Sequence, residues 1–451
     1  MKIALVFLVL IGIIVLGLPF SISGDSSLTG RVRSFMSYSL TATALLLGML
    51  TIFMSRSLSD ELSKRQILTL MTKPLPRWQF IVGKWAGITI FNIFFLCFTG
   101  ALVYGMVHYI KVAYPPSDDR YDVAQLEDEV LIARHALPWK TPDFDRGADI
   151  LFERNLEEGK YELRLDFDPQ AERALLKEKL TARWRVVPPL GARQFAFHNV
   201  LCDRSPGNHV QVRYYTRITR YPADEIYRSY WIFGNPEKGT PVVAIPTQHV
   251  VGRFHTISVP AECVAPDHTL SVEFHNENPF PGERQAPNII EFLSKDEVEV
   301  LFVVGSFEGN LLRLLILMMC KLMFLAAVGI LMASVFSFPV ACLASFTIYV
   351  LAGTRSFIME SMDWTTRSSF FATESLEDFA VIAASHLYRV VTYIIPDFAY
   401  YDGVETFVSG HNVSLAWVLQ GVGVLVFVQT FAVLGLAVLL FHRREVAEVS
   451  V

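Results

Sequence analysis

Apolar and polar positions divide the chain into three blocks: long apolar runs at both ends and a middle of short alternating segments. Ile3 to Phe20 is apolar behind a single Lys2, which admits either a signal peptide or a first span. The run is long for a signal segment and Ser21-Ile22-Ser23 is a poor cleavage site, so a span is expected. A second span is expected from about Tyr38 to Met54 and a third from about Phe80 to Tyr109, with Gly83 and Gly87 suited to close helix contact. Between them lies a charged insert, Arg56 to Trp85. Ser57 with Asp60 three residues on reads as a capping box, Leu58, Leu62, Leu68 and Met71 form an apolar stripe, and Pro74 and Pro76 stop the helix. Beyond the middle block, Leu311 to about Phe336 and Val340 to Leu351 read as a hairpin of fourth and fifth spans. A mixed stretch, Thr354 to Val413, contains an amphipathic helix from Leu376 to Ile395. A last span, from about Ser414 to Leu440, closes on His442, Arg443 and Arg444.

From Lys111 to Glu308 the pattern changes to short segments separated by Pro, Gly, Asn and Asp. Tyr121 to Ala136 and Pro169 to Leu180 read as helices. Strands are expected at Tyr161 to Phe167, Ala182 to Val187, Gln194 to His198, His209 to Ile218, Val242 to Ile245, Phe254 to Val259, Thr269 to Phe274 and Val298 to Val304. Many short strands with turns between them favour a sandwich or jelly roll over a parallel sheet. The expected fold class is thus a polytopic α-helical membrane protein of six transmembrane helices with an inserted exoplasmic β-sandwich-like domain carrying a few helices. Residues 1–110 hold three spans and the loop 56–85, residues 111–308 the mainly-β domain, and residues 309–451 the last three spans.

Composition supports this division. With 52% hydrophobic residues and a mean hydropathy of +0.38 the 451-residue chain is too apolar for an ordinary soluble enzyme, yet 18% charged residues is too many for spans alone. The net charge of -5 is uneven: from Lys111 to Glu308 acidic residues outnumber basic ones by about eight, which argues against nucleic acid as a partner. Six spans put both termini on one side. Lys2, Arg56, Lys64, Arg65, Lys73, Arg77, Lys84, Arg443 and Arg444 fall there, so that side is expected to be cytoplasmic; Arg31 and Arg33 in the first outer loop count mildly against it. Cys97, Cys320 and Cys342 read as small core residues. Cys202 and Cys263 could pair if the middle block faces an oxidising compartment, although two cysteines make a weak disulfide case.

With that topology, the charged insert resembles the cytoplasmic loop of the permease subunits of ABC-2-type ABC transporters. Glu61, the helix to Met71, Lys73-Pro74-Leu75-Pro76-Arg77 and Gly83-Lys84 stand where that family has a Glu, a short helix, a Pro-x-x-Arg-like turn and Gly-Lys entering the next span. Tyr393 to Phe398 and Phe441-His442-Arg443-Arg444-Glu445 match its Leu-Pro-Asn-like stretch and basic end. Arg65-Gln66 stands where a Gly-Thr pair is common, and only Met1-Lys2 precede the first span where an elbow helix is usual. The resemblance implies a bacterial inner-membrane exporter subunit with an exoplasmic (periplasmic) re-entrant helical segment at residues 354–413. The implied partners are a cytosolic ATPase subunit and a second permease copy or paralogue. Its coupling loop would use Asp60, Glu61, Arg65, Gln66, Lys73, Pro74, Arg77, Gly83 and Lys84. Lys111 to Glu308 lie outside the resemblance.

No Gly-x-x-x-x-Gly-Lys-Ser/Thr phosphate loop occurs, so no cofactor is expected in this chain; ATP and Mg would sit on the partner ATPase. The loop reads alternatively as a solvated connector whose charges set topology. Lys321 lies about two turns, ~12 Å, deeper in the fourth apolar run than Arg313, which can snorkel. An intramembrane lysine either lines a substrate path or pairs with a carboxylate or carbonyl. In the middle block Glu273 and His275 share a strand face, with His198 and His255 elsewhere, and no metal-ligand spacing is present. Asp143-Phe144-Asp145 and Asp166-Phe167-Asp168 look like nucleotide-sugar carboxylate pairs. Trp184, Trp231, Tyr214, Tyr215, Tyr227 and Tyr230 form either a sugar platform or a core. Hydrolase and metalloprotease motifs are missing, so two functions stand: an exporter subunit with an unidentified substrate, and a membrane-anchored exoplasmic binding or sensing protein.

Overall fold

A computed structural model describes residues 2–21, 27–63, 76–113, 120–140, 142–160, 168–218, 226–278, 289–294, 297–370 and 395–443. The chain forms two compact units, Met1–Ala133 with Gly305–Val451, and Arg134–Val304. The first is helical. It contains α1 (Lys2–Ser21), α2 (Leu28–Met54), α3 (Arg56–Ser63), α4 (Arg77–Ala113) and α5 (Arg120–Glu129). After the second unit come α8 (Phe307–Val335), α9 (Phe338–Phe370), α10 (Val404–Val408), α11 (Leu415–Gly421), a π-helical stretch Val422–Thr430, and α12 (Phe431–Arg443). Among the described residues five helices are long and apolar enough to cross a membrane: Leu28–Ser59, Arg77–Ala113, Phe307–Val335, Phe338–Ser361 and Leu415–Arg443. The shorter Leu5–Ser21, within α1, is also apolar.

Helix α8 is the axis of this unit: 72% of its apolar window is buried, against 11% for α9. Small and polar side chains set how closely its neighbours approach, as expected where lipid removes the hydrophobic drive between helices. A Cβ at Gly48 would lie 2.9 Å from Tyr349 Cζ, and one at Gly100 would lie 2.6 Å from a Leu315 methyl. In the buried α2–α4 interface Asn92 donates to Thr51 Oγ1 at 2.9 Å, while the Thr51 hydroxyl donates to Leu47 O at 2.7 Å. At the N-terminal end of α8, Asn310 donates to His411 O and accepts from Val413 N, clamping residues 411–413. Nearby Gly410 holds φ +76°, and a Cβ there would lie 1.9 Å from Glu129 O.

Among the described residues the second unit holds α6 (Phe144–Glu157), α7 (Pro169–Arg185) and three sheets, ordered β1-β11-β4-β8, β2-β10-β5 and β3-β9-β6-β7, in which β1 is Ile132–Pro138, β2 Val186–Val187, β5 Arg217–Ile218 and β10 Ile290–Glu291. The principal strands are β3 (Ala192–Phe197), β4 (His209–Tyr215), β6 (Ile226–Phe233), β7 (Val243–Val250), β8 (Phe254–Pro260), β9 (Leu270–Asn276) and β11 (Val298–Ser306). Their pairings are antiparallel; Trp231 on β6 stands opposite Phe274 on β9 and Ile245 on β7. The two four-stranded sheets face each other across an aromatic core in which Tyr214 meets Trp231 at 4.5 Å and Trp231 meets Phe274 at 4.8 Å.

Several expectations need correction. Tyr121 to Ala136 is helical only to Glu129, and Ile132–Pro138 is strand β1. Ala182 to Val187 is the end of α7 plus two strand residues, because basic Arg183 and Arg185 suit a helix C-terminus. β6 and α6 were not anticipated, although β6 alternates buried and outward residues along Ile226–Phe233. Ser57 lies inside a helix rather than capping one, because Ser55 keeps helical dihedrals and α3 follows α2 directly. Residues 354–370 extend α9 rather than opening a separate segment. Tyr161 to Phe167 and residues 376–394 lie outside the described residues.

Candidate functional site

At one end of the helical unit α3, the start of α4, the α8–α9 turn and the end of α12 converge. Lys84 Nζ reaches Glu61 Oε1 at 2.5 Å and donates to Ser57 Oγ at 2.8 Å; both charged side chains are about three-quarters buried. Glu61 Oε2 is buried with no hydrogen-bond partner among the described residues. Arg77 donates to His442 O at 2.8 Å, and Phe80 stacks on Phe441 with ring centroids 6.0 Å apart. Arg56 lies over Phe338 and Ser59 donates to Phe336 O, both at the α8–α9 turn. Leu58, Ile81, Ala341 and Phe441 bury themselves in the apolar cluster beneath.

The structure therefore brings together Glu61 with Lys84, and Arg77 with the end of the last helix. Gly83 and Gly87 make no close helix contact: a Cβ at either would meet open space, and both line a 270 Å³ cavity with Ser57 and Lys84. Asp60 is helical in backbone. Arg65, Gln66, Lys73 and Pro74 lie outside the described residues.

Lys321 occupies the midpoint of α8, the fifteenth of its 29 residues, and lines a cavity of 850 Å³. Its ammonium stands 3.6 Å from Asp402 Oδ1; the lysine side chain is 14% exposed and the aspartate 54%. Lys321 is thus paired with a carboxylate and also faces a cavity. Ser37 and Thr41 from α2, Tyr349 and Thr354 from α9, and Glu405 add polar groups to the wall. Sequence reasoning missed Asp402 and Glu405; their signal was the presence of carboxylates shortly before an apolar span. Arg313 does not simply snorkel, because it donates to Asn412 Oδ1 at 2.6 Å.

The other candidates resolve into structural roles. Asp143 and Asp168 cap α6 and α7, accepting from Arg146 N and Gln170 N, and Asp145 pairs with Lys177 at 2.6 Å. Tyr214, Tyr227 and Trp231 are fully buried in the core, and Trp184 stacks on Trp139 at 4.3 Å, so these rings form no platform. Glu273 and His275 meet at 3.2 Å, whereas His255 stacks on His249 at 4.2 Å. No group of three metal-ligating residues occurs among the described residues. Burial, and then the neighbouring His255, hold His249 down at about 4, and its Nδ1 is bonded to the Tyr214 hydroxyl. Cys202 and Cys263 are free thiols, both pushed up chiefly by burial. Comparison with known proteins returns no match: no family model, no curated protein and no solved structure resembles the chain significantly.

Proposed function

We propose that the chain is the permease subunit of an ABC-2-type exporter, moving an unidentified substrate across a bacterial inner membrane with ATP hydrolysed by a separate cytosolic subunit. The observation that carries this reading is the convergence of Glu61, Lys84, Arg77 and His442 at one end of the helical unit. A Glu61–Lys84 clip ties α3 to α4, so a partner pressing on the loop would move both helices together. A sixth span in α1, twenty residues and ~30 Å long, would put both termini and the loop on one side, which the basic residues there favour as cytoplasmic. The β-rich unit, inserted between the third and fourth spans, then lies outside. Helix α9, the least buried of the spanning candidates, offers its surface to lipid and to a second permease copy.

The test is association. The chain, expressed with a span-free ABC ATPase of its own organism, should retain that ATPase through purification, and the Glu61→Gln, Arg77→Ala double variant should lose it. Retention of the ATPase by the variant, or no association of either protein, sinks the proposal. In the second case the reading passes to a membrane-anchored protein in which the β-rich unit does the work.

A further inference from the structure

We propose that the Lys321 cavity binds an amphipathic molecule bearing a cationic amine, a ligand class that rests on the permease reading only for its name as substrate. The cavity's 850 Å³ is within the range of small-molecule sites. Leu45, Leu322, Leu325, Val350 and Phe398 give its wall apolar surface for a chain, and Lys321, Asp402 and Glu405 give it charge.

The charges there do not balance. Among the described residues that line the cavity, one ammonium faces two carboxylates, a net charge of -1 (+1 - 2). Lys321 is the buried member and is engaged by Asp402 at 3.6 Å, while Asp402 and Glu405 are exposed to the space. Among the described residues the Glu405 carboxylate has no side-chain partner. An entering ammonium would meet Glu405 and the free face of Asp402 before it met Lys321. A sulfate or carboxylate would meet like charge first, and an alcohol would leave the extra carboxylate uncompensated. An unpaired carboxylate on this partly wet wall favours a cation over an anion, and the attraction grows as an entering ligand displaces water from it.

The experiment uses the full chain in nanodiscs of neutral lipid, without ATPase, and radiolabelled dodecylamine, which is protonated at pH 7. After subtraction of empty nanodiscs, saturable binding at one site per chain is expected. Glu405→Gln should weaken it about tenfold, and Lys321→Met, which removes the one cation among the described lining residues, should tighten it. Val350→Trp, filling the cavity from its apolar side, should abolish it, with monodisperse elution confirming that each variant is folded. Dodecyl sulfate should not compete. Absence of a saturable component, equal competition by dodecyl sulfate, or full binding by Glu405→Gln overturns the proposal. Because no ATPase is present, such a failure leaves the permease reading intact, and loss of ATPase association leaves this site intact.

Discussion

Removing either member of the Lys321–Asp402 pair should have unequal consequences. At 3.6 Å and an effective dielectric of 20, the gross attraction is ~4.6 kcal/mol, set against a desolvation cost of several kcal/mol for the buried ammonium. The pair's net worth is therefore small, and the cost of a variant depends on what is left behind. Asp402→Asn leaves an ammonium with 14% exposure and no full counter-charge at 3.6 Å, a loss of ~2–4 kcal/mol after allowing for water in the cavity. Lys321→Met leaves a half-exposed aspartate that water can solvate and adds apolar contact, so it should cost ~0–1 kcal/mol. The double variant should resemble Lys321→Met. Thermal unfolding in maltoside micelles, followed by tryptophan fluorescence, measures the order directly. If Asp402→Asn unfolds no earlier than Lys321→Met, the lysine is not the buried dependent member and the reasoning fails.

Three other outcomes are expected. Gly410→Ala should cost more than ~2 kcal/mol in the same unfolding assay, because the new Cβ would combine a left-handed φ with a backbone oxygen 1.9 Å away. His249 should make stability fall with acid: the unfolded imidazole protonates near 6.5 and the folded one only at about 4, so below pH 6.5 the unfolded chain binds more protons. Unfolding midpoints between pH 7.5 and 4.5 should fall less in His249→Gln, and an unchanged slope would count against it. Finally, Cys202 and Cys263 should alkylate fully in denaturant without prior reduction, and slowly when folded; a requirement for reductant would show a disulfide.

Apolar run length made the long helices legible, but not their ends. α2 begins at Leu28, ten residues before the expected span, because Arg31, Arg33 and Ser37 are tolerated in a helix that the apolar pattern alone cannot extend. α9 likewise runs through polar residues to Phe370. Within the β-rich unit, the aromatics of β6 read as either a ligand platform or core, and alternation along Ile226–Phe233 places Tyr227 and Trp231 in the core and Tyr230 on the opposite face. The Asp143 and Asp168 pairs read as chemistry but sit before helices, where an aspartate caps. Lys321 was identifiable by depth alone. Its partner lies 81 positions away (402 - 321) in a segment with no matching period, and the Glu61–Lys84 pair likewise depends on α3 folding back beside α4.

Gly48 has a consequence that reaches the cavity although it does not line it. The Tyr349 ring rests on that glycine and forms part of the cavity wall, with its hydroxyl donating to Ala44 O at 3.4 Å. A methyl group at position 48 would push against the far end of a side chain, so the ring would yield before either helix backbone did. Glycine and alanine codons differ by one nucleotide. The shape of the cavity is therefore open to adjustment by a point mutation at a residue that does not line it.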